Sequence, residues 1–155
     1  MIRIGIVGEI GSGKSYVAKN FGYPAFNADA EVDKLYKKDK KTFNKLKKAL
    51  PKYIFSFPVN KKEISNAILV NQSNLRKIIR IVHLEIRKKM RVFLKKNKKK
   101  KIVVMDIPLL LENKIDEKND ILIFIQSNKV EILKRLKKRK NFNLKIYKIF
   151  KSIQL

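Results

Sequence analysis

The chain has no cysteine and no tryptophan, a single histidine, four prolines and five glycines in 155 residues. Without cysteine it can form neither disulfides nor a cysteine-rich metal site. No apolar run approaches the roughly 20 residues needed to span a bilayer. Acid is scarce as well: 13 Asp and Glu stand against 39 Lys and Arg, a formal charge of +26. The chain opens on a core-type apolar run, not on a charged n-region with a cleavage site, so no signal peptide is expected. A hydrophobic fraction of 45% over this length supplies one domain with a real core. The expectation is a soluble, cytoplasmic protein without a membrane partner.

The charge is nearly all lysine. Of the 39 basic residues 32 are Lys and 7 are Arg, beside 21 Ile and 13 Asn. That bias is what an AT-rich coding sequence produces at tolerant surface sites. A nucleic-acid reader leans more on arginine and on interleaved aromatics. Non-specific attraction to polyanions follows from the field itself, but no specific nucleic-acid partner is expected.

Glycine is placed rather than scattered, since all five lie between Gly5 and Gly22. Gly8-Glu9-Ile10-Gly11-Ser12-Gly13-Lys14-Ser15 fits G-x-x-x-x-G-K-[ST], the phosphate-binding P-loop. The β-branched run Ile2 to Val7 before it has strand length, and Tyr16 to Phe21 after it can continue as a helix that Gly22 caps. Each residue type has a physical use here. Gly8, Gly11 and Gly13 let backbone N–H groups approach phosphate oxygens. The helix that follows adds a favourable dipole. Lys14 is a mobile cation for the β- and γ-phosphates. The Ser15 hydroxyl is of the kind that binds Mg²⁺. The alternative is a chance glycine turn before a helix.

Further on, Tyr23 to Asn27 reads as an extended piece, with a helix from about Ala30 to Tyr36. Residues 39 to 50 read as a basic amphipathic helix. Tyr53, Phe55 and Phe57 alternate in what looks like a packed, extended excursion before Pro58. Asn60 caps a helix to Val70. Ser73 is a suitable N-cap for a long helix to about Lys96, with an apolar stripe at Leu75, Ile78, Ile79, Val82, Ile86, Met90, Phe93 and Leu94. Lys95 to Lys101 reads as a solvated lysine-rich loop. Lys101 to Asp106 is a strand ending in a carboxylate. Ile121 to Ile125, apolar on both faces, reads as a buried parallel strand. Helices follow over about 129–138 and from about Asn143. Alternating strands and helices predict an α/β doubly wound fold.

A P-loop implies a nucleoside triphosphate without naming the phosphate acceptor. No N-K-x-D motif for guanine is present. The chain is too short for motor or helicase machinery, and a late basic helix–loop–helix with Arg135 and Arg139 looks like a small-metabolite kinase lid.

In order along nearly the whole chain, the residues resemble the dephospho-CoA kinase family. The matching stretches are Ile4 to Ser15, Asn27-Ala28-Asp29, Val82-His83 with Ile86, Asp106-Ile107-Pro108-Leu109-Leu110-Leu111-Glu112-Asn113, and Leu133 to Arg139. The Pro-Leu-Leu-x-Glu segment combined with Ala-Asp after strand two is the more specific part.

The resemblance implies a three-layer P-loop NTPase fold, a parallel sheet flanked by helices, with a helical acceptor-binding insertion over about 37–97 and a lid over about 134–145. It implies ATP and Mg²⁺ as cofactors and dephospho-CoA as the acceptor. Gly8, Gly11, Ser12, Gly13, Lys14, Ser15 and Tyr16, with Arg135 and Arg139, are expected to bind ATP. Asp29 matches the acidic residue at the acceptor ribose, and is either the general base for its 3′-hydroxyl or simply a helix N-cap. His83, Pro108, Leu109, Glu112 and Asn113 are expected around the acceptor. Asp106 is either a Walker-B-like Mg²⁺ partner through water or an ordinary strand-end acid. The departures are Asn27 for Asp, Leu84 for the family proline, and Lys140 for the acid after the lid arginine.

The resemblance further implies a C-terminal strand and helix beyond Leu155. Without them the 121–125 strand is expected to be an unprotected sheet edge prone to pairing between molecules. Two alternatives stay open: another small P-loop nucleotide or metabolite kinase, and a basic nucleic-acid-binding protein that retains a P-loop.

Overall fold

A computed structural model of the chain describes residues 1–107 and 119–154. Among these, four strands form one parallel sheet flanked by helices. β1 (Ile2–Val7), β2 (Ala25–Asn27), β3 (Ile102–Asp106) and β4 (Ile121–Phe124) stand in the order β2-β3-β1-β4. β1 pairs with β3 from Ile2↔Ile102 to Ile6↔Asp106, and with β4 from Ile4↔Ile121 to Val7↔Phe124. β2 pairs with β3 from Ala25↔Val104 to Asn27↔Asp106. All four strands therefore end on the same edge. The chain leaves β1, passes through α1 (Lys14–Asn20), skips the β3 position and enters β2. Its later return on either side of β1 makes the crevice at the end of β1 and β3 a topological switch point, where α/β sheets bind ligands.

Contacts divide the chain into two compact units. The first is Met1–Ala28 with Val92–Leu155, and the second is Asp29–Arg91. In the first, β1 is buried on both faces, and Ile4, Ile6 and Val104 pack with Ala18 of α1. The small Ala18 lets the helix seat closely on the sheet. A buried ion pair, Arg3 Nη2 to Asp120 Oδ2 at 3.0 Å, ties β1 to the start of β4. α6 (Lys129–Lys137) buries Ile132 and Leu136, and α7 (Leu144–Ser152) follows it.

The second unit is helical: α2 (Ala28–Lys38), α3 (Lys40–Ala49), α4 (Lys61–Val70) and most of α5 (Ser73–Lys96). Leu46, Ile54, Ala67 and Ile68 are fully or almost fully buried. Asp39 and Asn60 cap α3 and α4 through their side chains. Glu63, buried, accepts the Ser56 hydroxyl and the N–H groups of Phe55 and Ser56. Burial pushes its carboxyl up, but these hydrogen bonds outweigh it and hold the group below its ordinary value.

Four sequence expectations are corrected. The 53–57 stretch, expected as a packed excursion, is only partly packed and joins no ladder: the N–H groups of Phe55 and Ser56 go to Glu63. Its buried residue is Ile54, while Phe55 is exposed and Phe57 meets Phe43 at 5.5 Å between ring centres. Ser73 is the first residue of α5 rather than its cap; the Asn71 Oδ1 accepts from the Ser73 N–H at 2.8 Å. α2 starts at Ala28, two residues early, so Asp29 lies inside its first turn. Finally, β4 is parallel but not buried: it ends the strand order among the described residues, and Ile121, Leu122 and Phe124 are exposed.

The Arg3–Asp120 pair generates a test. Removing one partner of a buried pair leaves an uncompensated charge and costs about 3–5 kcal/mol. Asp120→Asn is expected to lose that much in urea unfolding, while Arg3→Met with Asp120→Leu regains most of it. A single mutant as stable as the parent would show that the pair carries no weight in seating β4.

Candidate functional site

The site grows from the end of β1. Val7 hands the chain to a loop whose geometry requires glycine. Gly8 has φ +142°, and a Cβ there would stand 2.4 Å from the Ile125 carbonyl oxygen. Gly13 has φ +103° and turns the chain into α1. Such backbone is strained for other residues. The loop is braced from inside. The Ser12 N–H donates to the Glu9 carbonyl at 3.1 Å. The Lys14 ammonium donates to the carbonyls of Gly8 (2.7 Å) and Glu9 (2.8 Å), which hold it across the loop.

Parallel register sets Asp106 beside Ile6 on one side and Asn27 on the other. The Asn27 amide donates to its carboxylate, and the Ser15 hydroxyl is hydrogen-bonded to it. Burial raises the Asp106 carboxyl above its ordinary value; Ser15, the Lys14 charge and Asn27 oppose that rise without cancelling it. A buried carboxylate held against a hydroxyl beside a phosphate loop is a hard oxygen pair of the kind Mg²⁺ takes, the rest of its shell coming from phosphate and water.

The sequence-predicted residues Gly8, Gly11, Ser12, Gly13, Lys14, Ser15 and Asp106 thus come together in the first unit. Arg135 joins them: its Nη1 lies 3.4 Å from the Ser12 carbonyl oxygen. Tyr16 is three-quarters exposed on α1, and Arg139 lies exposed in the turn after α6. Asp29 is in the first turn of α2, and His83, half-buried, is midway along α5; both belong to the helical unit. Pro108, Leu109, Glu112 and Asn113 lie outside the described residues.

Two residues at the loop carried no signal in the sequence. The Ser127 hydroxyl donates to the Ser12 carbonyl at 2.8 Å. The Gln154 carboxamide donates to the Gly8 carbonyl at 2.8 Å and accepts the Ile10 N–H at 3.2 Å. A cavity of about 360 Å³ opens alongside, lined by Glu9 and residues 124–129.

The family model for dephospho-CoA kinase matches residues 2–154. The chain belongs to the dephospho-CoA kinase family. A relative of that name from Wolbachia pipientis wMel is 31% identical over 157 residues, covering 98% of this chain and 80% of the relative. One from Rickettsia felis is 32% identical over 158 residues, covering 100% and 81%. A crystal structure from Thermus thermophilus matches with a TM-score of 0.73 at 24% identity, covering 99% of this chain and 80% of that one, which shows a shared fold. As in other P-loop proteins, the dephospho-CoA kinase sheet brings its nucleotide loop to the carboxyl edge of the strands.

Asp106 yields a prediction with a definite sign. A carboxyl raised in the folded state contributes stability that is complete below its unfolded value, about 3.9, and lost as pH rises through the folded value. At neutral pH the ionised group therefore lowers stability. Asp106→Asn is expected to melt no lower than the parent at pH 7 and to flatten the stability profile above about pH 4, while losing turnover at least about 10²-fold. A large fall in melting temperature would show that the ionised carboxylate supports the fold.

Proposed function

We propose that the chain transfers the γ-phosphoryl group of ATP to the ribose 3′-hydroxyl of dephospho-CoA, giving coenzyme A and ADP. The observation that carries this reading is the assembled loop: Lys14 held over the Gly8 and Glu9 carbonyls, with Ser15 against Asp106 at the strand edge. Phosphoryl transfer asks a protein mainly for positioning and for countercharge on the equatorial oxygens.

The N–H groups at Gly13 and the N-terminus of α1 supply fixed dipoles for the β-phosphate. Lys14 follows the charge toward the γ-phosphate. Mg²⁺, held by Ser15 and, through water, by Asp106, would neutralise phosphate charge. Arg135 and Arg139 supply lid cations. Asp29 takes the proton of the attacking hydroxyl, so that the new O–P bond forms as ADP leaves in line. His83, Pro108, Leu109, Glu112 and Asn113 shape the acceptor site. The helical insertion of about 37–97 and the lid of about 134–145 are the parts assigned to acceptor and closure. Among the described residues no helix is long and apolar enough to cross a membrane, and we place the enzyme in the cytoplasm.

The test is an acceptor screen. ATP consumption should depend on dephospho-CoA, with nucleoside monophosphates inert; dependence on a nucleoside monophosphate instead would reassign the chain to another small kinase. Lys14→Ala should abolish turnover. Asp29→Asn keeps size and hydrogen bonding, so ATP affinity should persist while the rate falls by about 10²–10⁴-fold. If ATP binding collapses in that variant while the rate per bound complex stays high, Asp29 is not the base.

A further inference from the structure

The P-loop motif explains which residues line the phosphate side of the loop. It does not explain what holds the opposite side. A trans peptide is planar, with its C=O and N–H pointing in opposite directions. A carbonyl anchored outside the loop therefore aims the N–H of the same peptide inward. Three peptide groups of this loop, two of which seat Lys14, are anchored by residues outside the motif.

The first anchor is at the Ser12–Gly13 peptide. Its carbonyl accepts the Ser127 hydroxyl at 2.8 Å, with Arg135 Nη1 at 3.4 Å as a longer second donor. The N–H at the other end belongs to Gly13, the residue whose positive φ turns the chain into α1. Ser127 stands in the loop between β4 and α6, so this bond also ties the nucleotide loop to the neighbouring strand's exit.

The second anchor is Gln154. Lys14 rests on two carbonyls, those of Gly8 and Glu9. Gln154 holds both peptides: its Nε2 donates to the Gly8 carbonyl, and its Oε1 takes the Ile10 N–H, the other end of the Glu9 carbonyl's peptide. Lys151, one turn earlier on α7, lies 3.5 Å from the Glu9 carboxylate and reinforces the same docking. α7 has no buried residue, so these polar contacts stand out among its tertiary contacts.

We propose that Ser127 and Gln154 are positioning residues for phosphoryl transfer: Ser127 aims the Gly13 N–H at the nucleotide's phosphate, and Gln154 fixes the two carbonyls that seat Lys14. This rests on the reading of the loop as the ATP site. Neither residue touches the reacting atoms, and each acts through loop backbone.

The experiment measures ATP affinity by calorimetry on the full chain, together with KM for ATP and for dephospho-CoA. Variants are Ser127→Ala, Ser127→Thr, Gln154→Ala, the isosteric Gln154→Met, and Lys14→Ala as control. A hydrogen bond of this kind is worth about 2–10-fold. Ser127→Ala and both Gln154 variants should weaken ATP by that factor with KM for dephospho-CoA unmoved, and any fall in melting temperature should stay within that of a single hydrogen bond. Ser127→Thr should restore affinity, because it keeps the hydroxyl. The proposal is overturned if Lys14→Ala loses ATP while the Ser127 and Gln154 variants bind it as the parent does. It is equally overturned if the variants lose only active fraction at unchanged ATP affinity, or if Ser127→Thr fails like Ser127→Ala. If Lys14→Ala itself binds ATP normally, the ATP reading of the loop falls, and this proposal with it.

Discussion

Everything at the site depends on parallel register. Because β2, β3 and β1 run the same way, Asn27, Asp106 and Ile6 finish side by side. The carboxylate that ends β3 then has no choice of neighbour: it faces the loop leaving β1 two residues after Ile6. A one-residue slip would invert the β3 side chains, sending Asp106 away from Ser15 and forcing Val103, Val104 and Met105, buried on both faces of the sheet, to repack. The apolar residues of β3 thereby aim this acid at the loop.

That placement opposes stability. Asp106 is almost fully buried, and its carboxyl is raised despite an amide, a hydroxyl and an ammonium close by. Lys14 meanwhile is tied to carbonyls of its own loop. Its charge still bears on Asp106, opposing the rise that burial causes without cancelling it.

Most of this was readable from residues because the signals are local. The P-loop spacing, the Asn60 cap, and the apolar stripe of α5 all act within a few residues. What the sequence concealed depended on distant partners. An apolar run such as Ile121 to Ile125 by itself says only that a strand is favoured; its exposure, expected from the resemblance and not from the run, comes from β4 having β1 alone beside it among the described residues. The alternating aromatics at Tyr53, Phe55 and Phe57 carry a strand's period, yet Glu63, six residues beyond Phe57, takes the N–H groups of Phe55 and Ser56. Ser127 and Gln154 are invisible for the same reason. Their partners are 115 and 144–146 residues away, and neither residue type in its own context announces a role.

The strong positive charge fits this division between fixed and tolerant positions. Five of the described acids have defined posts: Asp39 caps α3, Glu63 ties the 55–56 backbone, Asp120 pairs with Arg3, Glu85 takes Lys45 and Lys88, and Asp106 meets Ser15 and Asn27. Many lysines instead sit in the last turns of helices: Lys19, Lys37 and Lys38, Lys47 and Lys48, Lys95 and Lys96, Lys151. There a cation is mildly favoured by the helix dipole, by about 0.3–1 kcal/mol, and any of several residues would do. Compositional drift toward lysine therefore meets little resistance at those positions, while drift away from an acid meets a lost cap or an unpaired guanidinium. The surplus charge records where the fold is indifferent, and the scarce acids mark where it is not.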